Sequence, residues 1–207
     1  MVGWRKRPRR LAAGPSSGSR TRRLKDKGVI LALLGLLGFL PSASVISAEL
    51  ARPTEYELKA AFLYNFIKFT EWPTEELGKS TDPFVIGILG KDPFGQALDK
   101  IIEGETVHNK RVVAKRLTKA EEALNCHALF ISSSEESNLP RILGLLDGQG
   151  VLTVGEIKNF AGRGGVIYLK EENKRLVFEI NLEAAKRAGV VMSAQLLKVA
   201  KIVKGNS

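Results

Sequence analysis

Apolar and polar positions divide the chain into regions of different rhythm. Residues 28–48 carry no charge, and 29–40 are almost wholly apolar. From Thr54 onward, short apolar runs alternate with longer mixed segments. Thr54 and Glu57 have the spacing of a capping box, in which a hydroxyl and a carboxylate each satisfy a free backbone N–H. They predict a helix that runs through residues 57–72 and stops at Pro73. Tyr56, Phe62, Tyr64, Phe66, Phe69 and Trp72 load it with aromatics, interrupted by Lys59, Asn65 and Lys68. A helix apolar over most of its circumference is buried against a sheet.

The runs 84–90 and 127–132 are short and strongly apolar, the pattern of buried strands. Residues 110–117 are less apolar and predict a strand nearer an edge. Strands are also expected at 151–154, 166–169 and 175–180, the last two joined as a hairpin through 170–174. Between them fall a turn at Asp92-Pro93-Phe94-Gly95 leading to a helix that ends at Ile102, and a second capping box at Thr118–Glu121 with a short helix. A loop over 132–136 precedes a helix over 138–146 with Pro140 in its first turn. Asn181 is placed to cap a helix that has Glu183 in its first turn, Lys186 and Arg187 in its last and Gly189 as its stop. Ser193 opens a final helix expected to reach Val203. Phe160 to Gly165, FAGRGG, marks a backbone that something approaches closely. This order predicts an α/β fold: a single three-layer domain with a mixed sheet flanked by helices, Rossmann-like but without a nucleotide fingerprint.

Charge changes the picture of the first 48 residues. The chain is formally +10, but residues 1–48 hold ten Lys and Arg against Asp26 alone, and the remainder is close to neutral. A basic run, a short apolar core and the small residues around Pro41 have the form of an export signal. Cleavage is expected between Ala48 and Glu49, which leaves residues 49–207 as the α/β domain. If residues 28–48 are retained they serve as a membrane anchor. A basic excess confined to the signal argues against a nucleic-acid partner. Membrane association is expected only through the signal or its retained form, and the working compartment is the periplasm.

Candidate chemistry is sparse. Cys126 is the one cysteine, so no internal disulfide forms, and its position before an apolar run suggests a buried thiol. His108 and His127 have no metal-ligand spacing to each other or to an acid. Cys126 and His127, adjacent in a strand, point to opposite faces. The Gly90–Gly95 turn lies between a strand and a helix but matches neither GxGxxG nor GxxxxGK[ST]. Glu103, Glu105 and Asp147 sit near turns. No catalytic, metal or cofactor residue is assigned, and the chain is expected not to be an enzyme.

Five stretches together resemble the YfiR/HmsC-like family: EYELKAAFLYNFIKFTEWP, VIGILGKDPFG, KRLTKAEEALNCHALFIS, GVLTVGEIKNFAGRGGVIYL and RLVFEINLEAAKRAGVVMSAQLLKVAKIV. The resemblance covers almost all of residues 54–203 in order. It implies an exported α/β protein of the periplasm that is not an enzyme. Such a protein binds the periplasmic part of an inner-membrane signalling protein, a diguanylate cyclase, and thereby lowers cyclic di-GMP and biofilm formation. The resemblance assigns no contact residue. The alternative reading is a periplasmic small-ligand-binding module that feeds a membrane sensor such as a histidine kinase, using the aromatic helix and the Gly90–Gly95 turn.

Overall fold

The computed structural model describes residues 53–73 and 82–205. The basic run, the stretch 28–48 and the expected cleavage point at Ala48 and Glu49 lie outside those residues. In chain order, α1 (Glu55–Lys68) is followed by β1 (Thr70–Glu71), β2 (Phe84–Leu89), α2 (Gln96–Ile102), β3 (Thr106–Val107) and β4 (Lys110–Leu117). A 3₁₀ turn (Ala120–Asn125), β5 (Ala128–Ile131), a second 3₁₀ turn (Ser133–Asn138), α3 (Leu139–Leu146) and β6 (Leu152–Gly155) come next. The chain continues through β7 (Ile167–Glu172), β8 (Arg175–Asn181), α4 (Leu182–Arg187), β9 (Val191–Met192), α5 (Ala194–Val199) and β10 (Lys201–Val203).

Eight strands form one sheet in the order β10-β8-β7-β6-β5-β2-β4-β3, and β1 pairs with β9 in a separate two-stranded ladder. The run from β4 to β7 is parallel, while β8 is antiparallel to β7 and β3 to β4. The strand period of two sorts the apolar side chains into two cores. Phe84, Ile86 and Ile88 of β2 and Phe130 of β5 pack with buried residues of α1, α2, α4 and α5. Val85, Leu89, Leu129 and Ile131 pack with the first 3₁₀ turn and α3. Covered on both faces, β2 and β5 are the two continuously apolar runs of the sequence, and the three-layer mixed-sheet fold agrees with that pattern.

The capping box at α1 is present, with Glu57 N–H donating to Thr54 Oγ1 and Thr54 N–H to Glu57 Oε2. The helix, however, ends at Lys68 rather than at Pro73. Thr70 turns its hydroxyl back onto the Phe66 carbonyl at 2.7 Å, and its backbone leaves to pair with β9. The last helix is also shorter than expected. It stops at Val199, Ala200 is extended, and Lys201–Val203 joins β8 as a parallel strand. In both places the open edge of a distant strand outcompetes continued helix, a pairing that local periodicity does not encode. The capping box expected at Thr118 is not formed. Thr118 Oγ1 meets the Glu122 side chain, and a 3₁₀ turn starts at Ala120 with no side-chain cap. The hairpin after β7 is as expected, its two-residue turn made by Asn173 and Lys174 at φ 52° and 60°.

The FAGRGG segment approaches the backbone through Phe160, which is fully buried. A Cβ on Gly155 would come within 2.6 Å of the Phe160 ring, and one on Gly165 within 2.0 Å. Two glycines therefore form the slot that seats one phenyl ring. Gly165→Ala is expected to cost about 1–3 kcal/mol through overpacking, and Phe160→Ala about 3–5 kcal/mol through the cavity it leaves. In urea denaturation the double variant should be less destabilised than the sum, because removing the ring makes room for the methyl.

Candidate functional site

The sequence candidates separate to different parts of the molecule. Glu103 ends α2 in solvent. Glu105 accepts the Tyr64 hydroxyl, and Tyr64 is pushed up to about 12 by burial and by that carboxylate. Asp147 pairs with Arg187 at 3.2 Å. These acids do not converge. Among the described residues no group of three or more His, Cys, Asp or Glu side chains is arranged to hold a metal ion.

Cys126 and His127 do lie at one place, the N-terminal end of β5. They line a cavity of about 340 Å³ with Lys115, Asn125 and Gln149. The Cys126 thiol is buried and pushed up to about 11 by that burial, so the reactive thiolate is disfavoured. Its Sγ packs where a Cβ on Gly87 would lie, 2.8 Å away. His127 serves the fold on the other face. Its ring stacks on Phe84 at 4.5 Å, and its Nδ1 accepts the Val85 amide at 3.1 Å, which places the ring proton on Nε2. Phe84 also packs edge-on against Trp72 at 5.1 Å, and Trp72 meets the ring of His108 at 5.9 Å. Both histidines thus belong to one aromatic column. Burial, Lys110 and His108 hold His127 below the ordinary histidine value, against the opposing pull of Asp82.

The Gly90–Gly95 turn sits where doubly wound folds bind ligands, at the reversal of strand order beside β2. Here protein groups occupy that place. The Lys91 amide donates to Ser134 Oγ at 2.9 Å and the Phe94 amide to Asp92 Oδ1 at 2.7 Å. Arg116 holds the Gly95 carbonyl, Asp92 and Asp99. A Cβ on Gly90, at φ +89°, would lie 2.4 Å from Ser134 Oγ. The aromatics of α1 are also mostly spent on packing. Tyr56 and Phe130 contact Phe94, while Phe62 and Phe66 contact Phe178. Asn65 is exposed.

An ion group that the sequence pattern did not single out fixes α1 to the sheet. Lys59 is 4 % exposed, and its Nζ lies 2.6 Å from both Glu55 and Glu156. Burial alone would lower its affinity for the proton, but Glu156 and Glu55 outweigh that and raise it. Lys59 one turn from Glu55 was visible as an i,i+4 pair; Glu156, at the end of β6, was not.

The other feature beyond sequence reach is an apolar surface built around α5. Two grooves share this helix. One, of about 270 Å³, is lined by Phe62, Phe66, Phe69 and Phe178 with Leu196 and Val199. The other, of about 350 Å³, lies among Leu182, Ala185, Val190, Val191, Met192 and Leu197. Val199 is 72 % exposed, Val191 61 % and Ile202 46 %. Exposed apolar side chains gathered about concave walls, rather than scattered singly, mark an interaction surface. The expectation of a final amphipathic helix to Val203 obscured this, because the groove walls come from α1, α4, β8 and β9.

Folded-state stability is expected to depend on His127 with a definite sign. A histidine held below its unfolded value contributes full stability above about pH 6.5, and that contribution is lost as pH falls below this value toward the folded pKa. Urea titrations between pH 8 and pH 5 should show the fall, and His127→Asn, whose Oδ1 can accept the Val85 amide, should flatten it.

A family model described as YfiR/HmsC-like matches residues 56–201, from the first turn of α1 to the start of β10.

Proposed function

The chain belongs to the YfiR/HmsC-like family, and we propose that it restrains an inner-membrane signalling protein by binding its periplasmic part. The family is one of periplasmic, non-catalytic regulators of cyclic di-GMP signalling. The partner proposed is a diguanylate cyclase, whose output falls while the complex holds. The observation that carries the reading is the apolar surface around α5, with exposed Val191 and Val199 lining two grooves. Control of this kind requires unequal affinity for the two states of the sensor, so the surface fits the inactive state better. No helix among the described residues is long and apolar enough to cross a membrane. Residues 1–48 are proposed to direct export, with cleavage between Ala48 and Glu49.

The small-ligand reading is supported by one feature, the cavity of about 340 Å³ beside His127, of which Leu124 forms part of the wall. The two readings separate in one experiment. Deleting the gene is expected to raise cellular cyclic di-GMP, and the exported wild type to restore it. Val191→Asp/Val199→Asp should fold normally, since both side chains are exposed, yet fail to restore the lower level. Leu124→Asp should restore it. Failure of Leu124→Asp with success of the valine variant would favour the ligand module, and no rise on deletion would overturn the cyclase.

A further inference from the structure

Charge is distributed unevenly between the α5 surface and the rest of the domain. Residues 182–205 contain five Lys and Arg against Glu183 alone, whereas residues 49–181 have more acids than bases. Two of the five are engaged: Lys201 donates to Glu179 at 3.0 Å, and Arg187 pairs with Asp147. Lys186, Lys198 and Lys204 are exposed and make no ion pair among the described residues. Lys186 lines the groove of about 350 Å³, and Lys198 projects from α5 itself. Glu71 and Glu183 are the acids at the margin.

We propose that the α5 surface receives an acidic amphipathic helix of the partner, its apolar side chains in the two grooves and its carboxylates on Lys186, Lys198 and Lys204. This rests on the proposal that the chain binds a signalling protein. Three observations select this occupant. First, the lysines around apolar walls complement a helix that is apolar on one face and acidic on the other. Second, the edge strand β10 is three residues long and followed by Lys204, the device by which sheet edges resist an added strand, so an extended segment gains little there. Third, Leu196 and Met192, at the walls of the grooves, are about 5 % and 6 % exposed. Such recessed walls accept apolar side chains that project from a partner helix.

The test places a photo-cross-linking amino acid at Val199, and separately at Val191, in the full-length exported protein. Irradiation in cells is followed by mass spectrometry of the product and by measurement of cyclic di-GMP in the same strain. The expected product is a peptide of net negative charge with apolar residues at i, i+3 and i+4. Its yield should fall at least fivefold in Lys186→Glu/Lys198→Glu/Lys204→Glu, and less in Lys198→Glu alone, with both variants keeping the wild-type thermal transition. Cross-links to lipid, to a peptide without acidic excess, or at unchanged yield in the triple variant would overturn the proposal, as would no product from either position. A rise of cyclic di-GMP on deletion without an acidic product sinks this docking chemistry and leaves the regulatory reading standing. An acidic product from a protein unconnected with cyclic di-GMP, with no rise, does the reverse.

Discussion

The amide of Asn181 is the joint on which the α4 end of the molecule hangs. The residue is fully buried at the end of β8. Its Nδ2 donates to the Ala161 carbonyl at 2.8 Å, and its Oδ1 accepts the Ala184 amide at 3.0 Å. Its backbone N–H donates to Val166 at 2.9 Å. One side chain therefore fixes the FAGRGG loop, ends the strand and starts α4. A buried amide is costly unless its groups are satisfied, and here both ends of the side chain have partners that also set geometry. Because α4 supplies Leu182, Ala185 and Lys186 to one groove, the shape of that groove is inherited from this interior contact.

The two ends of the sheet are built in different ways. At the switch point beside β2, hydrogen bonds to Ser134 and Asp92 and from Arg116 consume the turn, so a position that often binds ligands has become part of the scaffold. At the opposite end the aromatic column of His108, Trp72, Phe84 and His127 leads to β1, which pairs with β9. Trp72 further donates to the Gly150 carbonyl at 3.0 Å. The histidines are consumed by packing, and the column braces the ladder that carries Val191 and Met192.

What the sequence conveys and what it hides follow from the range of the interactions. The two-faced burial of β2 and β5, the Asn173–Lys174 hairpin, the capping by Thr54 and the Asn181 cap are all decided within a few residues, and the pattern contains them. The two-residue strands β1 and β9 are decided by each other, 122 residues apart at Thr70 and Met192, and the short β10 by β8, 22 residues back at Glu179, so no local rhythm announces them. The same limit applies to the site. Lys59 beside Glu55 can be read along a helix, but Glu156 cannot be joined to them without the fold. The grooves draw walls from α1, α4, β8, β9 and α5, so each wall residue, taken singly, has the appearance of an ordinary core position.

The three-residue pairing of β10 has a consequence for motion. Short ladders at a sheet edge open at low free energy, well below global unfolding. Lys201, which clasps Glu179, supplies a polar latch whose strength depends on that carboxylate staying ionised. Burial opposes ionisation there, but Lys201 and Lys170 outweigh it and keep the acid below its usual range. The α5–β10 unit is thus a segment whose amide protons should exchange early with solvent. A bound helix that spans both grooves would clamp it, so slowed exchange at Ile202 and Val203 would report occupancy of the surface without any label on the partner.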